Sequence, residues 1–104
     1  MTLRRREKRR YISVMHQGLP TDAFSAIQRR HAELFGSIAS ARASLRLVKP
    51  GEGVMIVRSS LEQITDVLAA IALTDPPMAT IDMSSSIKRL KRRLAKVNTA
   101  GSEI

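Results

Sequence analysis

The chain has 104 residues, 43% of them hydrophobic, and it contains no cysteine. This length and composition predict one domain that buries roughly 65% of the surface its unfolded chain exposes. The lack of cysteine excludes disulfides, thiolate metal sites and thiol catalysis, and it is typical of a reducing compartment, so we expect a cytoplasmic location.

The formal charge of +9 lies almost entirely at the two ends of the chain. Residues 1–10 carry six cations against one acid, and residues 88–97 carry six cations and no acid, whereas residues 11–87 hold six cations and seven acids. Two such clusters around a neutral core predict a strongly anionic partner, although either cluster alone is also typical of a solvated surface. The cations are Arg4, Arg5, Arg6, Lys8, Arg9 and Arg10 in the first cluster, and Lys88, Arg89, Lys91, Arg92, Arg93 and Lys96 in the second.

The first half of the chain predicts a strand, a helix and a hairpin. Alternation over residues 11–16 indicates a strand with Ile12 and Val14 on one face. A helix capped by Thr21 or Asp22 follows and is expected to end near Gly36. Residues 44–48 and 54–57 form the hairpin, and its second strand is apolar on both faces. The apolar stripe of the helix consists of Phe24, Ile27, His31, Leu34 and Ile38.

The second half predicts a helix, a strand and a basic helix. Ser59 or Ser60 is expected to cap the first of these, and residues 78–83 form the strand. The serines at 84–86 begin the third helix, over 86–97, with its stripe at Ile87, Leu90, Leu94 and Val97. The order β-α-β-β-α-β-α predicts an α+β fold, ferredoxin-like or RRM-like, with a four-stranded antiparallel sheet and an extra basic C-terminal helix.

The expected organisation is therefore a basic arm over 1–10, disordered until bound, one domain over 11–97, and a flexible tail over 98–104. No apolar run approaches the ~18 residues of a membrane span, and none follows the N-terminal cations as in a signal peptide. The short third helix lacks Phe and Trp, which disfavours a membrane surface as its partner.

The sheet is not expected to stack bases as RNA-recognition domains do. The sequence has only three Phe, Tyr or Trp residues, and the third strand has Val54 to Val57 at the positions where stacking rings would be needed. A strand that is apolar on both faces needs cover on both, which either the third helix or a protein partner supplies.

No pattern predicts a catalytic or metal site. His16 and His31 are the only histidines, and no cysteine or acidic ligand motif accompanies them. We expect His16 to be exposed at a strand end and His31 to be a hydrogen-bonded structural residue. There is also no Gly-x-Ser-x-Gly elbow and no phosphate-binding loop.

Six segments resemble, in order, the ribonuclease P protein component 2 family of archaea and eukaryotes. They are residues 9–12, 34–36, 41–47, 53–58, 67–74 and 84–89, and the resemblance covers roughly residues 4–97. The last segment resembles the family's signature between the fourth strand and a basic helix. The family usually has glycine and threonine where this chain has Ser85 and Ser86, and because glycine accepts a positive φ more readily, we expect the turn to differ here.

The resemblance implies a protein subunit of ribonuclease P, the endonuclease that removes the 5′ leader of precursor transfer RNA with RNA as its catalyst. It implies that the two basic clusters bind the ribonuclease P RNA and precursor transfer RNA, and that the chain has no catalytic site or cofactor of its own, Mg²⁺ being needed by the RNA. It further implies a protein partner, component 3, in a heterotetramer with two copies of each. Arg42, Arg46 and Arg58 are candidates for either protein or RNA contacts.

Two alternatives stay open. A ribosomal or other ribonucleoprotein structural protein would share the small size, the basic ends and the missing active site. A ferredoxin-like module that forms a homodimer through its free sheet face would need no nucleic acid, and its association would depend little on salt.

Overall fold

The computed structural model describes residues 8–102, with side chains over 8–96. Its element order is the predicted one, β-α-β-β-α-β-α. Arg4, Arg5 and Arg6, and most of the predicted arm, lie outside the described residues. The strands are β1 (Arg9–Met15), β2 (Arg46–Lys49), β3 (Val54–Ser60) and β4 (Ala79–Ser84), and the helices are α1 (Pro20–Ala43), α2 (Ile64–Ala72) and α3 (Ile87–Ser102).

The four strands form one sheet in the order β2-β3-β1-β4, and every neighbouring pair is antiparallel. β1 and β3 occupy the centre because they are the most apolar strands, and a central strand needs cover on both faces. This arrangement confirms the predicted α+β, ferredoxin-like fold.

One face of the sheet, called here the first face, carries the main core. Ile12 and Val14 of β1 lie opposite Val57 and Met55 of β3, and all four side chains are buried. Because side chains alternate along a strand, these residues point to the same side, where α1 and α2 pack. The helices contribute Ala23, Ile27, Val67 and Ile71 to this cluster.

The opposite face, called here the second face, is covered at its centre by α3. Ser13 and Ile56 lie opposite each other across β1 and β3, and both are fully buried. Leu90 of α3 is also buried, and Leu94 lines a cavity together with Ile56. The cover that the doubly apolar β3 requires is thus provided by the third helix, within the chain itself.

α1 is longer than predicted. Gly36 has φ 92° and ψ 170°, which interrupts the helix, but helical structure resumes and continues to Ala43. The first helical segment thus ends at Gly36 as predicted, and the alanine-rich residues after the glycine form a second helical segment that was not predicted. Leu34 and Ile38, expected in the buried stripe, are exposed, whereas Ala43 at the end of the second helical segment is buried in the core.

The serines before α2 do not cap it. Ser59 and Ser60 belong to β3, and the residue at the start of α2 is Gln63, which makes no side-chain capping bond. The strand is extended because the pairing of β3 with β1 continues to Arg9, and beyond it the N–H of Leu61 donates to the carbonyl of Lys8. Ladder hydrogen bonds thus take precedence over the local capping preference of serine.

The start of α3 is as predicted, but its end is not. Ser86 caps the helix by accepting the N–H of Arg89 at 3.4 Å. In the described part of the chain the one non-glycine residue with positive φ is Ser44, so the turn at Ser85 does not use the conformation that would require glycine. The helix runs to Ser102, because no proline or glycine intervenes before Gly101, so residues 98–102 of the predicted tail continue the helix.

Candidate nucleic-acid interface

The exposed side of α3 carries a cluster of cations, called here the α3 patch. Leu90 anchors the helix to the second face, which turns the charged residues toward solvent. Among the described side chains, none of these cations has a carboxylate within ion-pair distance. The patch consists of Lys88, Arg89, Lys91, Arg92 and Lys96, all of them exposed.

Arg93, which the sequence grouped with these cations, has a different environment. Its Nε lies 2.8 Å from Oδ2 of Asp82, and its Nη2 donates to the carbonyl of Met83 at 3.1 Å. Asp82 and Met83 belong to β4, so the guanidinium links α3 to the sheet edge. Arg93 therefore has a structural role in holding α3, and fewer of its donors remain for an external anion.

The last residues of the predicted N-terminal arm are part of the sheet. Arg9 and Arg10 begin β1 and pair with Ser60 and Ser59 of β3. Their side chains point to opposite faces, because successive residues alternate along a strand, and Arg9 shares the second face with Ser13. The ladder thus fixes two cations that the sequence placed in a disordered arm.

Arg46 and Arg58 lie directly opposite each other on β2 and β3. With Arg9 they line a cavity of about 200 Å³, called here the arginine pocket, whose remaining lining is Ser44, Ser59 and Ser60. Arg42 is separate from this group: its Nη1 pairs with Oε1 of Glu62 at 3.5 Å, and both side chains are mostly exposed.

The tertiary structure brings cations from both ends of the chain to the same end of the second face. Tyr11 lies opposite Arg58 on one side and opposite Ser84 on the other. Ser84 is the last residue of β4, and α3 begins three residues later. The first turn of α3 and the arginine pocket therefore lie at opposite edges of the same end of the sheet.

Neither histidine has the predicted environment. His16 is buried, not exposed, because the β2–β3 turn packs against it. Its ring Nε2 lies 3.0 Å from the carbonyl oxygen of Gly51, and its backbone N–H donates to the carbonyl oxygen of Gly53. His31 is buried as expected, but neither of its ring nitrogens has a hydrogen-bond partner among the described residues, and its ring centroid lies 5.3 Å from that of Phe35.

Within residues 8–102 the structure contains no group of three or more histidine, aspartate or glutamate side chains placed to bind a metal ion. The same part of the chain has no helix with the length and apolar character needed to cross a membrane.

Comparison with known proteins gives a fold relationship. No family model matches the sequence, and no curated protein does. Among solved structures, a chain of the cryo-EM structure of yeast ribonuclease MRP has a similar fold, with a TM-score of 0.58 and 11% sequence identity. The alignment covers 98% of this chain and 100% of that one. The two chains thus share an architecture over their whole length.

Proposed function

We propose that this chain is a protein subunit of an RNA-processing ribonucleoprotein related to ribonuclease P, in which it binds and stabilises the RNA. The observation that carries the proposal is the α3 patch, a set of exposed cations with no carboxylate partner among the described side chains, on a helix fixed to the sheet. The fold shared with a chain of yeast ribonuclease MRP, a relative of ribonuclease P, supports this assignment.

The α3 patch would act through the phosphate backbone. Arginine donates two parallel hydrogen bonds to a phosphate and lysine contributes a point charge, so a rigid helix presenting both fits a backbone rather than a base sequence. Each neutralised phosphate releases condensed counterions, which makes the affinity strongly salt dependent. In this proposal the chain supplies no catalytic group, and Mg²⁺ serves the RNA.

The finer proposal follows the sequence resemblance. The RNA would be that of ribonuclease P together with its precursor transfer RNA substrate, the protein partner would be component 3 in a heterotetramer, and the location would be cytoplasmic. α3 covers the centre of the second face, where a homodimeric ferredoxin-like module would need an open surface. The RNA-binding function is therefore favoured over the homodimer.

The test is to purify the tagged protein from its native cells at moderate salt and to sequence the RNA that accompanies it. We expect one structured RNA to be enriched and the purified particle to cleave precursor transfer RNA. Ribosomal RNA in its place would favour the alternative of a ribosomal protein. Recovery of no RNA above the level of an untagged control would refute the proposal.

A further inference from the structure

The arginine pocket combines three cations that the sequence places far apart. Arg46 and Arg58 are cross-strand neighbours, and Arg9 lies on the adjacent strand, two residues before Tyr11, which pairs with Arg58. All three belong to the second face. They lie at the end of the sheet where α3 begins, and α3 runs from that end toward Ile56. Three strands therefore contribute one arginine each to the lining of a single cavity.

No counter-charge in the described part of the chain balances these cations. Among the described residues, no carboxylate lies within 4 Å of any of the three guanidinium groups, and the cavity has no acidic residue in its lining. Like charges placed directly opposite each other, as in Arg46 and Arg58, destabilise an antiparallel pair. The fold retains an unfavourable arrangement that an external anion would relieve.

The other lining residues indicate how such an anion would be held. The hydroxyls of Ser59 and Ser60 already donate to backbone carbonyls, those of Ser60 and Arg42 respectively. The donors left to the cavity are the guanidinium groups and the hydroxyl of Ser44, an exposed residue in the left-handed conformation with φ 48°. This donor set matches an oxyanion with several acceptor atoms, and bidentate arginine contacts are typical of phosphate.

From this we infer that the arginine pocket binds one backbone phosphate of the RNA. The inference rests on the proposed function and adds a second contact region beside the α3 patch. Arg46, Arg58, Tyr11 and Ser84 form a row across the four strands, so Arg46, at the far side of the pocket, is about three strand spacings, or ~14 Å, from Ser84 just before α3. One RNA strand crossing this end of the sheet would contact both.

The test compares Arg46→Gln and Arg58→Gln with Arg29→Gln, a matched control that removes one exposed cation from α1 on the first face. Inorganic phosphate is titrated at constant ionic strength, and the Nε–Hε resonances of the arginines are followed by NMR. We expect saturable shifts at Arg9, Arg46 and Arg58, and a phosphate affinity at least about tenfold lower in each pocket variant. Affinity for a structured RNA should fall about fivefold or more relative to the control, and the salt slope should fall by about one.

A melting temperature no lower than that of the unaltered protein is expected for both pocket variants, because the like-charge pair is removed. The inference is overturned if the pocket variants match Arg29→Gln in phosphate and RNA affinity. If neutralising the α3 patch still weakens RNA binding in that case, the proposed function survives without this site. Two other results would overturn the assignment of the pocket to RNA. One is phosphate binding by a chain that has no affinity for RNA. The other is that the pocket variants keep their RNA affinity but lose a protein partner from the purified particle.

Discussion

Neutralising three residues of the α3 patch should weaken RNA binding without unfolding the protein. The variant is Lys88→Gln, Arg89→Gln and Arg92→Gln together, because all three side chains are exposed and none forms an ion pair with another described residue. Arg93 stays unaltered, since its guanidinium holds α3 to Asp82 and Met83 of β4. The change therefore removes positive charge and leaves the contacts that dock the helix in place.

The size of the effect follows from counterion release. Each phosphate contact contributes about 0.7–0.9 to the slope of log affinity against log salt, so three lost contacts should reduce the slope by about 2–3. Between about 50 and 200 mM salt, the unaltered protein should then lose about 20- to 40-fold more affinity than the variant loses. Because exposed substitutions of this kind change stability by less than about 0.5 kcal/mol, the melting temperature should stay nearly the same.

The assay is a fluorescence anisotropy titration with a structured RNA at several salt concentrations, alongside thermal denaturation followed by circular dichroism. Arg93→Gln is the control, because it removes a cation of α3 that lies outside the α3 patch. Its half-exposed ion pair with Asp82 contributes about 0.5–1 kcal/mol, so this control should lower the melting temperature by a few degrees while changing the salt slope much less. An unchanged slope in the triple variant would refute the assignment of the α3 patch to RNA.

Three further predictions concern stability. Leu90→Ala should lower the free energy of unfolding by about 2–5 kcal/mol in urea denaturation, because it leaves a cavity beneath α3. The control Leu34→Ala, on the exposed surface of α1, should lower it by less than about 1 kcal/mol, and equal losses would contradict the docking of α3. His31→Leu should raise the free energy of unfolding by about 1 kcal/mol, because neither buried ring nitrogen has a partner among the described residues, and a large loss would show that they are hydrogen-bonded in solution. Gly51→Ala should destabilise the β2–β3 hairpin by more than about 1 kcal/mol, since its Cβ would overlap the carbonyl oxygen of Val54, and an unchanged melting temperature would count against that packing.

Local sequence patterns were sufficient to predict the element order. Alternation in β1, the doubly apolar centre of β3 and the apolar stripe of α3 each reflect a periodicity of the backbone, so a single sequence carries them. The cap at Ser86 was also predictable, because a capping bond joins residues only three positions apart. Errors arose where a distant segment competed with a local preference, as when pairing with β1 extended β3 through the serines expected to cap α2.

The candidate interface divides in the same way. The charge of α3 and its seam at Leu90 are properties of one helix, and the sequence determined them together with the fold class. The separation of Arg93 from the other cations depends on Asp82 of another element, and the arginine pocket depends on the pairing of three strands. Only the tertiary structure decided these features, because the register between strands and the docking of a helix are set by contacts between residues far apart in the chain.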